Sequence, residues 1–184
     1  RNTPSSGHKL VKQTSGDPHP QADLHLKSAI GSLTYIMKCT RPDIATAVSD
    51  IARVSSHPSE DSWNATLHLL AYLSGCPSYG LHFRQHGNGE LLSYCDANWG
   101  CGGGDARSAS GVVFLLAGAP ICHYRKMQSS IALSTFESEI VAMCCAAKEA
   151  MFLRELIGWV MGPSDEPTLI LCDNEAALIS SSNV

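Results

Sequence analysis

Long apolar stretches are missing from this sequence. No apolar run is long enough to span a membrane, and the first residues, RNTPSSGHKLVKQTSGDPHPQAD, lack the apolar block of a signal peptide. These absences predict a chain that works in the cytoplasm or the nucleus without a membrane partner. The 184 residues suffice for one domain with an appendage, and hardly for two full domains.

Paired cysteine spacings are also missing, although the sequence contains eight cysteines. There is no C-x-x-C, and Cys144 and Cys145 are neighbours in an apolar helical pattern. The sequence therefore predicts reduced, mostly buried thiols, with neither a disulfide framework nor a structural zinc site.

An excess of positive charge is missing as well. Thirteen lysines and arginines stand against 17 aspartates and glutamates, and the formal net charge is −4. This balance argues against broad electrostatic capture of a polyanion. Any contact with nucleic acid must therefore be local.

The composition and secondary-structure signals divide the chain into three regions. Residues 1–23 contain several prolines, glycines and serines without an apolar period, which predicts a flexible lead-in. Residues 24–78 carry three amphipathic helical patterns, with Pro42 in the first turn of the second helix and Ser59 as the N-cap of the third. Residues 79–184 alternate strand and helix signals, which predicts an α/β domain.

Five short apolar segments of this last region predict strands, separated by Gly, Asn or Pro. In chain order they are LHFRQ, LLSYCD, SGVVFLLAG, APICHYRK and TLILCD. A long helix over residues 135–160 precedes TLILCD, and a last helix follows it at NEAALIS. The expected fold is a mixed sheet with antiparallel hairpins and one crossover helix.

The strand directions predict where the acids meet. If LLSYCD runs up the sheet, its hairpin partner runs down, APICHYRK runs up, and the crossover helix makes TLILCD parallel to the first strand. Asp96 and Asp173 then end strands at the same edge, and the helix that carries Glu139 begins there.

Each acid also has a simpler interpretation. Asp96 fits a turn former, Asp173 fits the N-cap of the last helix, and Glu139 fits a surface charge paired with a lysine or arginine. Glu137 faces away from Glu139 on the helix, and its spacing from Ser134 predicts a capping box.

Three converging carboxylates repel one another unless a cation lies among them. Hard oxygen ligands of this kind suit magnesium or manganese. The sequence therefore predicts a divalent metal site made for phosphate chemistry.

Five motifs identify a family resemblance. In chain order, SYCDANWG, RSASGVVF, HYRKMQSSIALSTFESEIVAM, EAMFLREL and LCDNEAA closely resemble the ribonuclease H domain of copia-type LTR retrotransposon Pol polyproteins. Upstream, AIGSLTYIMKCTRPDIATAVSDIARVSSHPSEDSWNATLHLLAYLSG resembles the segment that joins the reverse transcriptase to that domain. The resemblance covers about residues 24–184. It implies a ribonuclease H-like α/β fold for residues 79–184 and a small helical connection segment for residues 24–78.

The resemblance also implies an activity. Matched by motif, Asp96, Glu139 and Asp173 are catalytic residues that bind two magnesium ions, with manganese as the alternative. The implied reaction is two-metal hydrolysis of the RNA strand in an RNA–DNA hybrid, in which 2′-hydroxyl contacts distinguish RNA from DNA.

Three basic residues are implied as substrate-binding residues. Arg125 and Lys126 match a basic stretch in the loop before the long helix, which would contact substrate phosphates. Arg107 and Trp99 lie in the matching loop after the first strand, where solvated charge and packing explain them equally well.

The resemblance further implies partners. They are an RNA–DNA hybrid and the reverse transcriptase domain of the same polyprotein, in the virus-like particle of a parent element.

The sequence also departs from the family. The family places a fourth metal-binding aspartate and a histidine beyond the final helix, and this chain ends before both at Val184. A C-terminally truncated domain that holds its second ion poorly is therefore expected. The sequence contains no Asp-Asp pair, so no polymerase centre is expected either.

Two other interpretations stay open at this point. The chain is alternatively a catalytically inactive relic, or a fragment that only binds nucleic acid or supports the neighbouring polymerase. An integrase-like strand transferase of the same wider superfamily fits less well, because the third acid lies at the end of a strand.

Overall fold

The computed structural model describes residues 2–5, 7, 10–11, 20–83, 89–101 and 106–182. The chain divides into two compact units, Arg1–Leu81 and His82–Val184. None of the described helices is long and apolar enough to cross a membrane.

The first unit contains the predicted helices, but the first of them begins at Pro20, four residues before the predicted start and inside the predicted flexible lead-in. Its elements are α1 (Pro20–Cys39), a 3₁₀ turn (Pro42–Ile44), α2 (Ala45–Val54) and α3 (Glu60–Gly75). Pro42 opens the 3₁₀ turn and not the α-helix that the sequence predicts, so α2 begins three residues later. Ser59 is the N-cap of α3: its Oγ accepts from the Ser62 N–H at 3.2 Å, and the Ser62 Oγ accepts from the Ser59 N–H at 2.9 Å.

The core of the first unit lies where the three helices face one another. Apolar side chains at three- and four-residue steps fill it because this spacing puts them on one face of each helix. The most deeply buried are Leu26, Leu33, Ile44, Val48, Ile51, Val54 and Leu69.

A buried arginine links two helix ends of this unit. Arg41 is 5% exposed, and its Nε and Nη2 donate to Asp43 Oδ1 and Oδ2 at 3.0 and 2.8 Å. Its Nη1 donates to the carbonyl of Cys76, the residue that follows α3, at 3.0 Å. The Tyr72 hydroxyl donates to Asp43 Oδ2 at 2.7 Å. These contacts satisfy a buried cation that follows α1 and tie it to the end of α3.

The second unit is a four-stranded sheet with two helices. Its elements are β1 (Leu92–Asn98), β2 (Ala109–Leu116), β3 (Ala119–Met127), α4 (Thr135–Met161), β4 (Leu169–Leu171) and α5 (Glu175–Ser182). The strand order is β3-β2-β1-β4, in which β2 is antiparallel to both neighbours and β4 is parallel to β1. The predicted mixed α/β fold, with hairpins and one crossover helix, is therefore confirmed.

The first predicted strand, LHFRQ, is not found. Residues 81–83 are irregular, and residues 84–85 lie outside the described residues. The strand predicted at TLILCD is shortened to three residues, so Cys172 and Asp173 follow β4 and are not part of it.

Helix α4 packs closely on the sheet because its buried face is made of small residues. Ala142, Ala146 and Ala150 recur at four-residue steps and are at most 5% exposed. Cys95 of β1 and Phe114 of β2 lie in the core that these alanines help to form, and Phe114 is fully buried. The small side chains let the helix backbone approach the strands, so its first turns lie near the sheet edge.

Replacing Phe114 with alanine tests this core. Phe114→Ala removes a fully buried aromatic ring, so we expect a loss of about 3–5 kcal/mol in the free energy of unfolding. Urea unfolding followed by circular dichroism measures it. The control Phe152→Ala changes a side chain that is 59% exposed and should stay within about 0.5 kcal/mol of wild type. Equal losses for both variants would contradict the packing described here.

The Arg41–Asp43 pair predicts a pH-dependent stability. The hydrogen bonds from Arg41 hold the pKa of Asp43 below its usual range, against the opposing effect of burial. The pair therefore stabilises the fold above the unfolded pKa of about 3.9, and this stabilisation is lost as the pH falls through the lower folded pKa.

We expect Asp43→Asn to destabilise the chain by about 2–3 kcal/mol at neutral pH. This is below the loss for a fully buried pair, because the Asp43 side chain is 35% exposed. The difference from wild type, measured by urea unfolding, should shrink steadily below about pH 4. Asp165→Asn, at an exposed position, is the matched control. A difference that stays constant down to pH 2 would show that the charge of Asp43 does not matter.

Candidate metal centre

Parallel pairing brings two aspartates to one edge of the sheet. Leu92, Ser93 and Tyr94 of β1 pair with Leu169, Ile170 and Leu171 of β4. Two residues beyond the last of these pairs come Asp96, still in β1, and Asp173, in the segment that follows β4. Since parallel strands advance together, both acids arrive at the same edge, as the predicted strand directions require. Both side chains are exposed.

The start of α4 supplies the third acid. Ser134 caps the helix, because its Oγ accepts from the Glu137 N–H at 3.1 Å. In a capping box the Glu137 carboxylate would accept from the Ser134 N–H. Here it accepts from the N–H of the preceding residue, Leu133, at 2.7 Å, so the predicted capping box is only half formed. Glu137 is exposed at the cap, whereas Glu139 is only 6% exposed. Only Glu139 is therefore turned inward.

The Glu139 carboxylate is buried without a basic partner. Among the described residues no lysine or arginine forms an ion pair with it, which removes the interpretation of Glu139 as a paired surface charge. It accepts a hydrogen bond from the Ala97 backbone N–H, and the Cys172 thiol points to its Oε2 at 3.8 Å. Burial raises the pKa of Glu139, and the charges of Asp96 and Asp173 raise it further.

Three potential metal ligands lie close together at this edge. One oxygen of Glu139, one oxygen of Asp173 and the Sγ of Cys172 are all within 4.8 Å of one another. Asp96 is outside this group in the described structure, although its charge acts on Glu139. The structure thus brings two of the three predicted acids into one group, keeps the third at the same edge, and adds a cysteine that the sequence analysis missed.

Asp173 is not the cap of the last helix. The Asn174 Oδ1 accepts from the Ala177 N–H at 2.9 Å, and the Asn174 carbonyl accepts from the Leu178 N–H at 3.1 Å. Asn174 is therefore the N-cap of α5, and the alternative interpretation of Asp173 is wrong. The Asp173 carboxylate is left available beside Glu139.

A second cysteine lies beneath the group. The Cys95 Sγ is within hydrogen-bonding reach of the Leu171 carbonyl at 3.6 Å and of the Cys172 side chain. Burial, with the neighbouring Cys172 and acids, raises the pKa of the Cys95 thiol to about 12. Cys95 is therefore protonated at neutral pH and acts as a neutral neighbour.

The basic residues of the predicted substrate surface lie on a strand, not in a loop. Arg125 and Lys126 belong to β3, which corrects the prediction that they precede the helix in a loop. Arg125 pairs with Gly111, which pairs with Asp96, so Arg125 and Asp96 share one face of the sheet. Lys126 is one residue further along and points to the other face.

Two further positions fall on the loops around this edge. Arg107 is half-buried and lies between β1 and β2, as predicted. The Trp99 Nε1 donates to the Ala132 carbonyl at 2.9 Å while half of the side chain stays exposed. Trp99 thus joins the turn after β1 to the segment before α4, which supports its packing interpretation.

Gln128 is a positioning residue that the sequence analysis missed. It is 5% exposed, and its Nε2 donates to the Ser110 Oγ and to the Ser138 carbonyl, both at 2.9 Å. These bonds tie β2 to the turn of α4 that carries Glu139. A glutamine directly after an apolar strand and before a helix cap was the available signal.

Comparisons with known proteins find relatives among transposon polyproteins. The chain is 33% identical over 187 residues to the retrovirus-related Pol polyprotein from transposon TNT 1-94 of Nicotiana tabacum, an alignment that covers 98% of the chain. It is 29% identical over 157 residues to the corresponding polyprotein from transposon RE2 of Arabidopsis thaliana, which covers 85% of the chain. The chain spans only 14% and 11% of these two polyproteins.

A shorter relative carries a different name. The chain is 38% identical over 126 residues to the secreted RxLR effector protein 161 of Plasmopara viticola; this match covers 68% of the chain and 89% of that protein. No protein-family model and no solved structure matches the chain.

The fold and the edge acids define a mixed α/β module with a candidate metal centre. The relatives then give its family: over most of its length the chain is homologous to a segment of the retrovirus-related Pol polyproteins of copia-type transposons. The predicted retrotransposon family is thereby confirmed.

The buried Glu139 predicts how stability depends on pH in the absence of metal. Its folded pKa is raised, so its protonated form stabilises the fold below the unfolded pKa of about 4.3, and this contribution is lost as the pH rises. Glu139→Gln removes the buried charge and should therefore melt at a higher temperature than wild type at pH 7 in EDTA. The gap should narrow towards pH 4.

The control for this prediction is on the same helix. Glu155→Gln changes an exposed carboxylate of α4 and should leave the melting temperature unchanged. If Glu139→Gln melts at a lower temperature than wild type at pH 7 in EDTA, the prediction is wrong. The negative charge of Glu139 would then be stabilised by its surroundings and not destabilising.

Proposed function

We propose that this chain is a ribonuclease H-type nuclease module of a transposon Pol polyprotein, which hydrolyses the RNA strand of an RNA–DNA hybrid with magnesium or manganese. The observation that supports this best is the Glu139 carboxylate, which is buried without a basic partner among the described residues, next to Asp173 and within the field of Asp96. A buried carboxylate is costly unless a cation compensates it, so a glutamate with only a structural role would normally be exposed or paired.

The donor set fits a divalent cation. The carboxylates of Asp96, Glu139 and Asp173 are hard oxygen ligands, and a cation would offset the repulsion that raises the pKa of Glu139. When bound, such ions would activate a water and stabilise the leaving oxygen of the phosphodiester. The protein's part is to hold the ligands still.

Neighbouring groups hold these ligands in place. The Ala97 N–H donates to the Glu139 carboxylate, and Gln128 donates to the carbonyl of Ser138 in the same helix turn. Asn174 caps α5, so the Asp173 carboxylate is not used for capping. Such supporting contacts matter because catalytic constellations tolerate little displacement.

The surface around the edge offers local contacts for a hybrid. Arg125 lies two strands from Asp96 on the same face, at about 10 Å by strand spacing, which suits a phosphate near the scissile bond. Arg107 would add a contact from the loop between β1 and β2, whereas Lys126 points to the other face and is the weakest of the three predicted contacts. With a net charge of −4, binding would depend on these residues and on the ions. The reverse transcriptase domain of the same polyprotein is the proposed protein partner.

Cleavage of a labelled hybrid tests the function. The chain should cut the RNA strand in the presence of Mn²⁺ or Mg²⁺ and leave the hybrid intact in EDTA. Asp96→Asn, Glu139→Gln and Asp173→Asn should each lower the cleavage rate by at least about 100-fold. Replacing a residue that only supports a metal ligand already costs up to about 100-fold, and a direct ligand should cost at least as much. Denaturing gels of the labelled RNA strand measure the rates.

The matched control is Asp165→Asn, at an exposed position outside the site, which should keep the wild-type rate. The proposal fails if the wild-type chain leaves hybrids intact, or if its cleavage is unchanged in all three variants.

One observation favours a second candidate function. Asp96 lies outside the group formed by Glu139, Cys172 and Asp173, as expected of a module that holds nucleic acid or a neighbouring polymerase domain without catalysis. Such a module should bind hybrids equally well in EDTA, with an affinity that falls steeply with salt. Filter binding across a salt series distinguishes it from the nuclease, whose binding should strengthen with the ions.

A further inference from the structure

We infer that Cys95 and Cys172 form a redox pair: an oxidant of the peroxide class joins them in a reversible disulfide, and this bond weakens the candidate metal centre beside them. The inference concerns the regulation of the edge described above, and its effect on hydrolysis rests on the proposed function. Formation of the disulfide itself requires neither a bound ion nor nuclease activity.

The strand register places the two cysteines side by side. Tyr94 of β1 pairs with Leu171 of β4, and Cys95 and Cys172 each follow that pair by one residue. Adjacent strands are about 4.8 Å apart, so the Cα atoms of the two cysteines lie at about this distance. Disulfides join residues whose Cα atoms are about 4.4–6.8 Å apart. The backbone therefore holds the pair within the range of a bond.

The two side chains also face the same side of the sheet. Cys95 belongs to the core between the sheet and α4, and Cys172 packs against that core. The Cys95 thiol interacts with the Cys172 side chain, and its Sγ lies 3.6 Å from the carbonyl oxygen of Leu171, the residue before Cys172. Both are free thiols in the structure. Bond formation would thus require new side-chain rotamers and no rearrangement of the strands.

The third cysteine of this core is too far away to compete for Cys95. Cys122 of β3 pairs with Phe114, and Phe114 pairs with Ser93 of β1, so Cys122 lies two strands from β1 at about 10 Å. A disulfide cannot bridge Cα atoms more than about 7 Å apart without backbone movement. Within this core, Cys95 therefore has Cys172 as its partner.

Exposure decides which thiol reacts first. Cys95 is 5% exposed, whereas Cys172 is half-buried and can meet a small oxidant. Hydrogen peroxide transfers an oxygen to the Cys172 sulfur as its O–O bond breaks, which gives a sulfenic acid and one water. The Cys95 sulfur then attacks the sulfenic sulfur, the S–O bond breaks, and hydroxide leaves with the Cys95 proton as a second water. The two thiols together lose two electrons and two protons, and the peroxide is reduced to water.

The bond would change the surroundings of Glu139. In the reduced chain the Cys172 thiol points to Glu139 Oε2 at 3.8 Å, and Cys172 directly precedes Asp173. A disulfide removes this S–H donor, turns the sulfur towards Cys95 and constrains the backbone that carries Asp173. Contacts that support metal ligands contribute about 10–100-fold to metal affinity, so oxidation should weaken ion binding by at least about tenfold.

Peptide mapping tests the inference on the full chain. Limited hydrogen peroxide should give a monomer with two fewer free thiols, in which the proteolytic peptides of Cys95 and Cys172 are linked. Fragmentation of the linked peptides distinguishes Cys95 from Cys101, which lies on the same tryptic peptide. Dithiothreitol should restore both thiols. The inference is wrong if peroxide leaves Cys95 and Cys172 free or links Cys172 to another cysteine.

Cysteine variants test the order of the two steps. In Cys95→Ala the disulfide cannot form, so the sulfenic acid should accumulate at Cys172 and react with dimedone. Cys95→Ser provides the same test if the alanine variant does not fold. Cys144→Ser changes an exposed cysteine of α4 and should form the disulfide as wild type does. A dimedone adduct that is absent from Cys172 in both Cys95 variants would contradict its role as the first thiol to react.

Binding of Mn²⁺ measures the effect on the candidate metal centre. Titrations followed by electron paramagnetic resonance should show at least about tenfold weaker binding to the oxidised chain than to the reduced chain. Dithiothreitol should restore the affinity, and Cys144→Ser should behave as wild type in both states. Equal affinities of the reduced and oxidised forms would refute the regulatory part of the inference.

The two proposals fail in different ways. A reversible disulfide between Cys95 and Cys172, found in a chain that leaves hybrids intact, would refute the nuclease and keep the redox pair. Metal-dependent cleavage in a chain whose Cys95 and Cys172 stay free after peroxide treatment would refute the redox pair and keep the nuclease.

Discussion

The parallel pairing of β1 with β4 is the constraint on which the rest of this site depends. Two strands that run in the same direction must be joined by a crossover, and here α4 makes that connection. The crossover returns the chain so that Asp173, two residues after β4, reaches the same edge as Asp96, and the first turns of the same helix bring Glu139 to that edge. An antiparallel β4 would place the two aspartates at opposite ends of the sheet.

Close packing of α4 then decides the electrostatics. The row of Ala142, Ala146 and Ala150 lets the helix approach the sheet, and this approach buries Glu139 in its first turns. A buried carboxylate beside two others is unfavourable in a metal-free fold, as the raised pKa of Glu139 reflects. The first unit solves a similar problem differently, since its buried Arg41 has Asp43 as a counter-charge within the same unit.

The cysteine next to Asp173 lies in the same group as the two acids. Its thiol points to Glu139 Oε2 at 3.8 Å, so the buried carboxylate has a weak donor beside it as well as the Ala97 N–H. These neutral donors offset only part of the cost of burial and of the repulsion among the acids, because the pKa of Glu139 stays raised.

Much of the fold, and the edge at which the acids meet, could be predicted from the sequence alone. Apolar periods predicted α1 to α5, Ser59 and Ser134 marked two helix starts, and the order of strands and helix required Asp96, Asp173 and the start of α4 to share an edge. The tertiary structure alone decided that Asn174 caps α5, that Arg125 and Lys126 lie on β3, and that Cys172 joins Glu139 and Asp173. Local patterns encode hydrogen bonds and periodicity within a few residues, whereas ligand distances depend on how closely α4 packs on the strands.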